Sequence, residues 1–164
     1  MTPTTQPADP APVAAVVLEQ TLGHVTHSKN LQSLLPQVGG IDPVFLPVAF
    51  DPGERRIPGW SNWTVRAGIR AAGALIALRR RRPAVRPDVM FVHTQVPAVM
   101  LGPFMRRTPT VVSIDATPKQ YDELGEFYAH AQGSPWVEQR KFRANQRCFQ
   151  RAAHVVAWSA WSKR

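Results

Sequence analysis

Four stretches of this chain end on side chains that can do chemistry, and in each case an apolar run comes first. His93 closes the run Asp88-Val-Met-Phe-Val-His, with Thr94 and Gln95 behind it. The run starts after a proline-rich break and ends on polar residues, as a buried parallel strand does. Ligands of open α/β sheets collect at the carboxyl ends of strands, so His93 stands where a two-sided hydrogen-bonding ring would meet one. The plainer alternative is a loop histidine that only caps the strand. The first strand exit supplies Gly23, His24 and Thr26, the fourth Asp115, Thr117 and Lys119, and the fifth Ser159. Polar groups gathered on one rim of a parallel sheet make a ligand site.

Most familiar chemistries lack their signatures. No G-x-G-x-x-G follows the first strand, and no G-x-x-x-x-G-K-[ST] or G-x-S-x-G occurs anywhere. His24 and His27 are three apart and would join His93 in a metal site. No Cys-x-x-Cys or His-Glu pair accompanies them, so polar loop histidines are the preferred reading and no metal or other cofactor is expected. Asp122, Glu123 and Glu126 read as a solvated helix face rather than as paired catalytic carboxylates. No D-x-D is present to hold a metal-bridged diphosphate.

The elements that position these groups alternate regularly. Residues 1–12 contain four prolines and read as a disordered tail. Strands are expected over Val13–Leu18, Val44–Val48, Asp88–His93, Thr110–Asp115 and Ala153–Trp158. Helices are expected over Thr26–Leu35 (capped by Thr26 or Ser28), Asn62–Arg82, Pro97–Met105 and from Ser134-Pro135 to Arg151. In the long helix Val65, Ile69, Ala72, Leu75 or Ile76, and Leu78 or Arg79 recur at helical spacing. Gly68 and Gly73 weaken that helix but permit close packing. In the last helix Phe142 and Phe149 share a face. The pattern predicts an α/β fold, a Rossmann-like, mostly parallel sheet with helices on both faces, forming one domain over residues 13–164. A strand followed by six residues is an odd ending, and the chain is expected to be part of something longer.

The chain has 164 residues, a formal charge of +9 and one cysteine, Cys148. The charge favours phosphates, nucleotides, anionic lipid or nucleic acid as partners. The lone cysteine excludes an internal disulfide and fits a reducing compartment. No secretory signal is visible, and Ala71–Leu78, the longest weakly polar stretch, is far below the ~20 residues of a membrane span. A cytoplasmic protein is expected, at most peripheral to the inner face of the membrane. Arg79 to Arg82 end the long helix, and Arg140, Arg143, Arg147 and Arg151 share a face of the last one. A solvated face is the plain reading of both, with docking to anionic lipid or a polyanion beside it. Trp60 and Trp63 flank the start of the long helix, as core, interface anchors or binding platforms.

The order of elements resembles the amino-terminal domain of glycosyltransferase family 4, retaining enzymes of the GT-B fold. Asp88-Val-Met-Phe-Val-His93 with Pro97-Ala98 is similar to that family's strand ending in histidine. Thr108-Pro-Thr-Val-Val-Ser-Ile114 looks like its next strand. Arg151-Ala-Ala-His-Val-Val-Ala-Trp-Ser159 with Ser162-Lys163 resembles the strand and helix start that close the amino-terminal half. The resemblance implies an acceptor-binding half facing a second domain, absent from this chain, that holds most of the nucleotide-sugar, with transfer proceeding with retention and without metal. It implies that His93 reaches the transferred sugar, that Gly23 and His24 approach the donor diphosphate, and that Thr94, Asp115, Thr117 and Tyr121 line the acceptor side. Leu22-Gly23-His24 stands where the family often has a glycine pair. Asp115-Ala116-Thr117 stands where many members have His or His-Thr, which implies a divergent acceptor. Alone, the chain is expected to have little transferase activity and to need a missing domain or partner chain. A non-catalytic basic module of the same fold, docking to an anionic membrane or a partner protein, is the alternative. A nucleic-acid-associated α/β domain is a weaker third.

Overall fold

The computed structural model describes residues 10–21, 23–49, 62–117, 120 and 134–163. The expectations for the tail up to residue 9 and for Leu22, Trp60, Lys119, Tyr121, Asp122, Glu123 and Glu126 lie outside the described residues.

Five strands form one sheet: β1 (Val13–Glu19), β2 (Asp42–Val48), β3 (Val89–His93), β4 (Thr110–Ile114) and β5 (His154–Ala157). Their order is β2-β1-β3-β4-β5, and every neighbouring pair is parallel. The helices are α1 (His24–Val38), α2 (Asn62–Arg81), α3 (Gln95–Ala98), α4 (Gly102–Met105) and α5 (Pro135–Arg151), and a 3-10 turn spans Trp161–Lys163. The fold is α/β and Rossmann-like, with an all-parallel sheet flanked by helices. No helix among the described residues is long and apolar enough to cross a membrane.

Alternation along β1 builds both layers. Ala14, Val16 and Leu18 face α1 and meet Leu31 and Leu35. Ala15 and Val17 face the other way, toward Ala67, Ala71 and Leu75 of α2, Leu101, Met105 and Cys148. Val16, Val17 and Leu18 are at most 1% exposed. Each such side chain contributes roughly 1.5–3 kcal/mol by leaving water. The chain steps from β1 outward to β2, then crosses back over β1 to β3. Right-handed crossovers therefore put α1 on one face and the later helices on the other.

Several boundaries differ from expectation for local reasons. α1 starts at His24, with Gly23 as its N-cap, so Thr26 and Ser28 lie inside it. Ser28 turns inward, accepting from the Gln20 side chain and, at 3.0 Å, from Gln32 Nε2. β2 starts at Asp42, whose N–H donates to the Pro12 carbonyl at 2.9 Å. The helix expected over Pro97–Met105 is two short helices, Gln95–Ala98 and Gly102–Met105, with Pro103 in the first turn of the second. On α2 the buried line is Val65, Ala67, Ala71, Leu75 and Leu78, while Ile69 and Ile76 are exposed. The small residues win the inner face because they let the helix approach the sheet. Phe142 and Phe149 likewise part: Phe149 packs on the core and Phe142 is exposed.

Gly68 is part of that approach, since a Cβ there would overlap the Met100 side chain, whereas Gly73 faces open space. The two glycines therefore respond oppositely to one methyl group. Gly73→Ala is expected to stabilise by about 1 kcal/mol through helix propensity. Gly68→Ala is expected to cost about 1–3 kcal/mol through overpacking. Urea denaturation midpoints measure both, and equal shifts of one sign would remove the close contact as the cause.

Candidate functional site

The strand order switches direction between β1 and β3, and the crevice beyond the carboxyl ends of these strands is where doubly wound folds take ligands. β1 ends in Glu19 and β3 in His93, whose register partner is Leu18. Adjacent residues on a strand point to opposite faces, so Glu19 and His93 build two different constellations.

Glu19 is 1% exposed. Its carboxyl accepts the Thr21 hydroxyl on one oxygen and the Thr94 hydroxyl, at 2.5 Å, on the other. Thr94 in turn accepts from the Val96 N–H at 3.2 Å and so caps α3. A buried carboxyl without such donors would be costly. One side chain therefore ties the β1–α1 loop to the β3–α3 junction.

His93 is fully buried on the α1 face, beside Ser113 of β4. The first turn of α1 carries His24 and His27, three apart and on one side of the helix. Their ring centroids lie 5.0 Å and 4.5 Å from that of His93. Trp158, which follows β5, lies flat on His93, at 4.9 Å and 7°. Its indole N–H donates to Ser113 Oγ at 2.7 Å, which fixes the ring's position. His27 packs on the same indole at 4.2 Å. His24 Nε2 stands 3.9 Å from Asp115 Oδ2.

Burial, with His27 and His24 adding to it, pushes His93 down to about 3. Burial and His24 also lower His27. Both rings are therefore neutral near pH 7. Among the described residues neither nitrogen of His93, nor Nδ1 of His24, has a hydrogen-bond partner. A neutral imidazole has one N–H and one lone pair to offer, which suits a hydroxyl-bearing ligand. Among the described residues no group of three His, Cys, Asp or Glu side chains is placed to hold a metal ion.

The structure brings Gly23, His24, His93 and Asp115 to one rim. Gly23 is exposed at the start of α1, with open space around it. Thr94 is elsewhere: it is 1% exposed and committed to Glu19 and α3. Thr117 is held by Gln120, whose Oε1 accepts from the Thr117 N–H at 2.8 Å while the Gln120 N–H donates to Thr117 Oγ1 at 3.3 Å. That is the reciprocal pattern of a capping box. Ser159 Oγ is paired with Ser162 Oγ at 2.8 Å. Tyr121 lies outside the described residues.

Sequence reasoning missed Glu19 and Trp158, and weighed His27 only as a metal ligand. A signal for Glu19 was present, a carboxyl placed directly after an unbroken apolar strand. Comparison with known proteins found no family model that matches the chain and no matching curated protein.

The low pKa of His93 has a consequence for stability. The unfolded ring titrates near 6.5 and the folded one near 3, so between these values the unfolded state binds more protons and stability falls as pH falls. The contribution is complete above about pH 6.5 and is lost progressively below it, by up to ~1.4 kcal/mol per pH unit. His93→Phe is expected to keep the stack on Trp158 and to flatten this dependence. Denaturation midpoints at pH 7 and pH 5 test it: an equal loss in both proteins would place the acid sensitivity elsewhere.

Proposed function

We propose that this chain is the acceptor-binding half of a retaining glycosyltransferase, moving a sugar from a nucleotide-sugar donor to an acceptor hydroxyl. The observation that carries the reading is His93, a buried, neutral imidazole with both nitrogens unpartnered among the described residues, at the carboxyl end of β3 beside the switch point. The likeness of His93, Pro97-Ala98 and the Arg151–Ser159 stretch to family 4 supports it.

In this reading one ring nitrogen of His93 holds a hydroxyl of the transferred sugar, and the other is left for a second polar group of the ligand. The Trp158 indole covers the ring, so a sugar reaches His93 only as that indole moves aside. Asp115 and His24 lie on the outer side of the cluster, where a carboxylate and an imidazole 3.9 Å apart suit an acceptor hydroxyl. In this reading the start of α1, where Gly23 supplies no side-chain cap, faces a phosphate. The leaving diphosphate also needs electrostatic stabilisation. That role, with most of the nucleotide, falls to a donor-binding domain or partner chain.

Nucleoside diphosphate release from a panel of nucleotide-sugars, by the natural protein with whatever domain or partner accompanies this chain, tests the reading. Turnover of at least one donor is expected, and His93→Ala is expected to lower it by about 10²-fold, the scale of a lost transition-state hydrogen bond. No turnover with any donor, or an unchanged rate in His93→Ala, overturns it.

A further inference from the structure

The face of the sheet opposite the histidine cluster carries an open groove of about 460 Å³. Val65 of α2 and Val99 and Met100 of the α3–α4 link give it apolar walls, and α5 gives it Arg143, Arg147 and Arg151. α5 holds five cationic residues against one carboxylate, Glu138, which is tied to Lys141 at 2.7 Å. The charge of this helix is therefore strongly positive and directed outward, since its buried side is the one that carries Cys148.

Apolar side chains stand exposed among these cations on two separate helices. Trp136, at the start of α5, is 63% exposed and has the Arg140 guanidinium stacked on it at 4.7 Å. Ile69 and Ile76 of α2 are 58% and 42% exposed, on the side turned away from the sheet. Arg79 and Arg80 end that helix, also exposed. Single exposed apolar side chains are ordinary on a solvated face, but here isoleucine and tryptophan accompany a one-signed set of arginines. A duplex nucleic acid would use the arginines alone. A single acidic peptide in the groove would touch its walls and leave the outward Ile69 and Ile76 in water. An anionic bilayer surface uses both sets at once: apolar tips enter the headgroup layer while arginines meet lipid phosphates.

We infer that the α2–α5 face docks on an anionic lipid bilayer, with Trp136 and Ile69 entering the interface and Arg143 and Arg147 contacting phosphates. The inference does not rest on glycosyl transfer, and its test needs no substrate.

Sedimentation of the full chain with vesicles of phosphatidylcholine alone, or mixed with phosphatidylglycerol, tests it. Binding to the mixed vesicles only is expected, weakening as salt rises. Arg143→Glu with Arg147→Glu is expected to lower it at least tenfold, and the milder Arg143→Gln with Arg147→Gln less. Brominated acyl chains are expected to quench tryptophan fluorescence, and Trp136→Ser to remove most of that quenching. All these side chains are exposed or at the groove surface, and circular dichroism checks that the fold is intact. Equal binding to neutral vesicles, no effect of charge reversal, or no quenching through Trp136 overturns the inference. So does binding to duplex DNA or polyglutamate as tight as to the mixed vesicles and indifferent to Trp136.

Discussion

A carboxyl group buried at the end of β1 makes demands on everything around it. Glu19 can stay out of water only if donors come to it, and the two that come are hydroxyls from different loops, Thr21 and Thr94. Parallel pairing of β1 with β3 brings those loops together, since it sets Leu18 opposite His93. Once Thr94 is held there, the backbone of its neighbour His93 is held too, and α3 begins where Thr94 caps it. The switch point is thus closed by a satisfied polar contact on one face of the sheet, while the other face is left to the imidazoles.

The two faces differ in how well their polar groups are served. Glu19 has a donor on each oxygen, whereas His93 is equally buried and has no partner on either nitrogen among the described residues. Leaving a buried polar group unpaired costs roughly 1–3 kcal/mol. An apolar residue stacked under Trp158 would fill the same space without that cost. A side chain that is worse for stability than its simplest replacement is where a functional demand is expected to override local consistency. Around His93 the His24 and His27 imidazoles and the Trp158 indole lie at 4.5–5.0 Å, with His27 4.2 Å and His24 6.1 Å from the indole, and both His93 nitrogens stay unpaired among the described residues.

Much of the fold was legible because hydrophobic period and turn residues speak locally. The unbroken apolar run of β1, the proline break before β3 and Ser134-Pro135 before α5 each marked an element within a residue or two. What was not legible depended on contacts distant in sequence. Gly23 starts α1 without a side-chain cap, so no cap residue announced the early start that puts His24 and His27 on one helical turn. Trp158 and His93 lie 65 positions apart and are joined only through β4, where Ser113 holds the indole. Ile69 fitted the periodicity of a core position, yet Ala67 and Ala71 took the inner face because the closest approach to the sheet favours the smallest side chains. Thr94 carried a polar label that suited a ligand, but its partner Glu19 was on another strand.

The topology also relates the two proposed surfaces. α2 follows β2 and leads back to the start of β3, and α5 leads back to the start of β5, so both helices run antiparallel to the strands. Their first turns, with Val65 and Trp136, therefore lie toward the carboxyl edge of the sheet, and Arg79 and Arg151 toward the amino edge. The histidine cluster opens at that same carboxyl edge, on the other face. A bilayer held against the α2–α5 layer near Trp136 would lie beside the rim on which His24 and Asp115 sit. An acceptor anchored in lipid would then approach along the membrane surface rather than through bulk water, with its search reduced from three dimensions to two. On the two proposals together, the positive face would hold the surface by charge and the histidine cluster would read what projects from it.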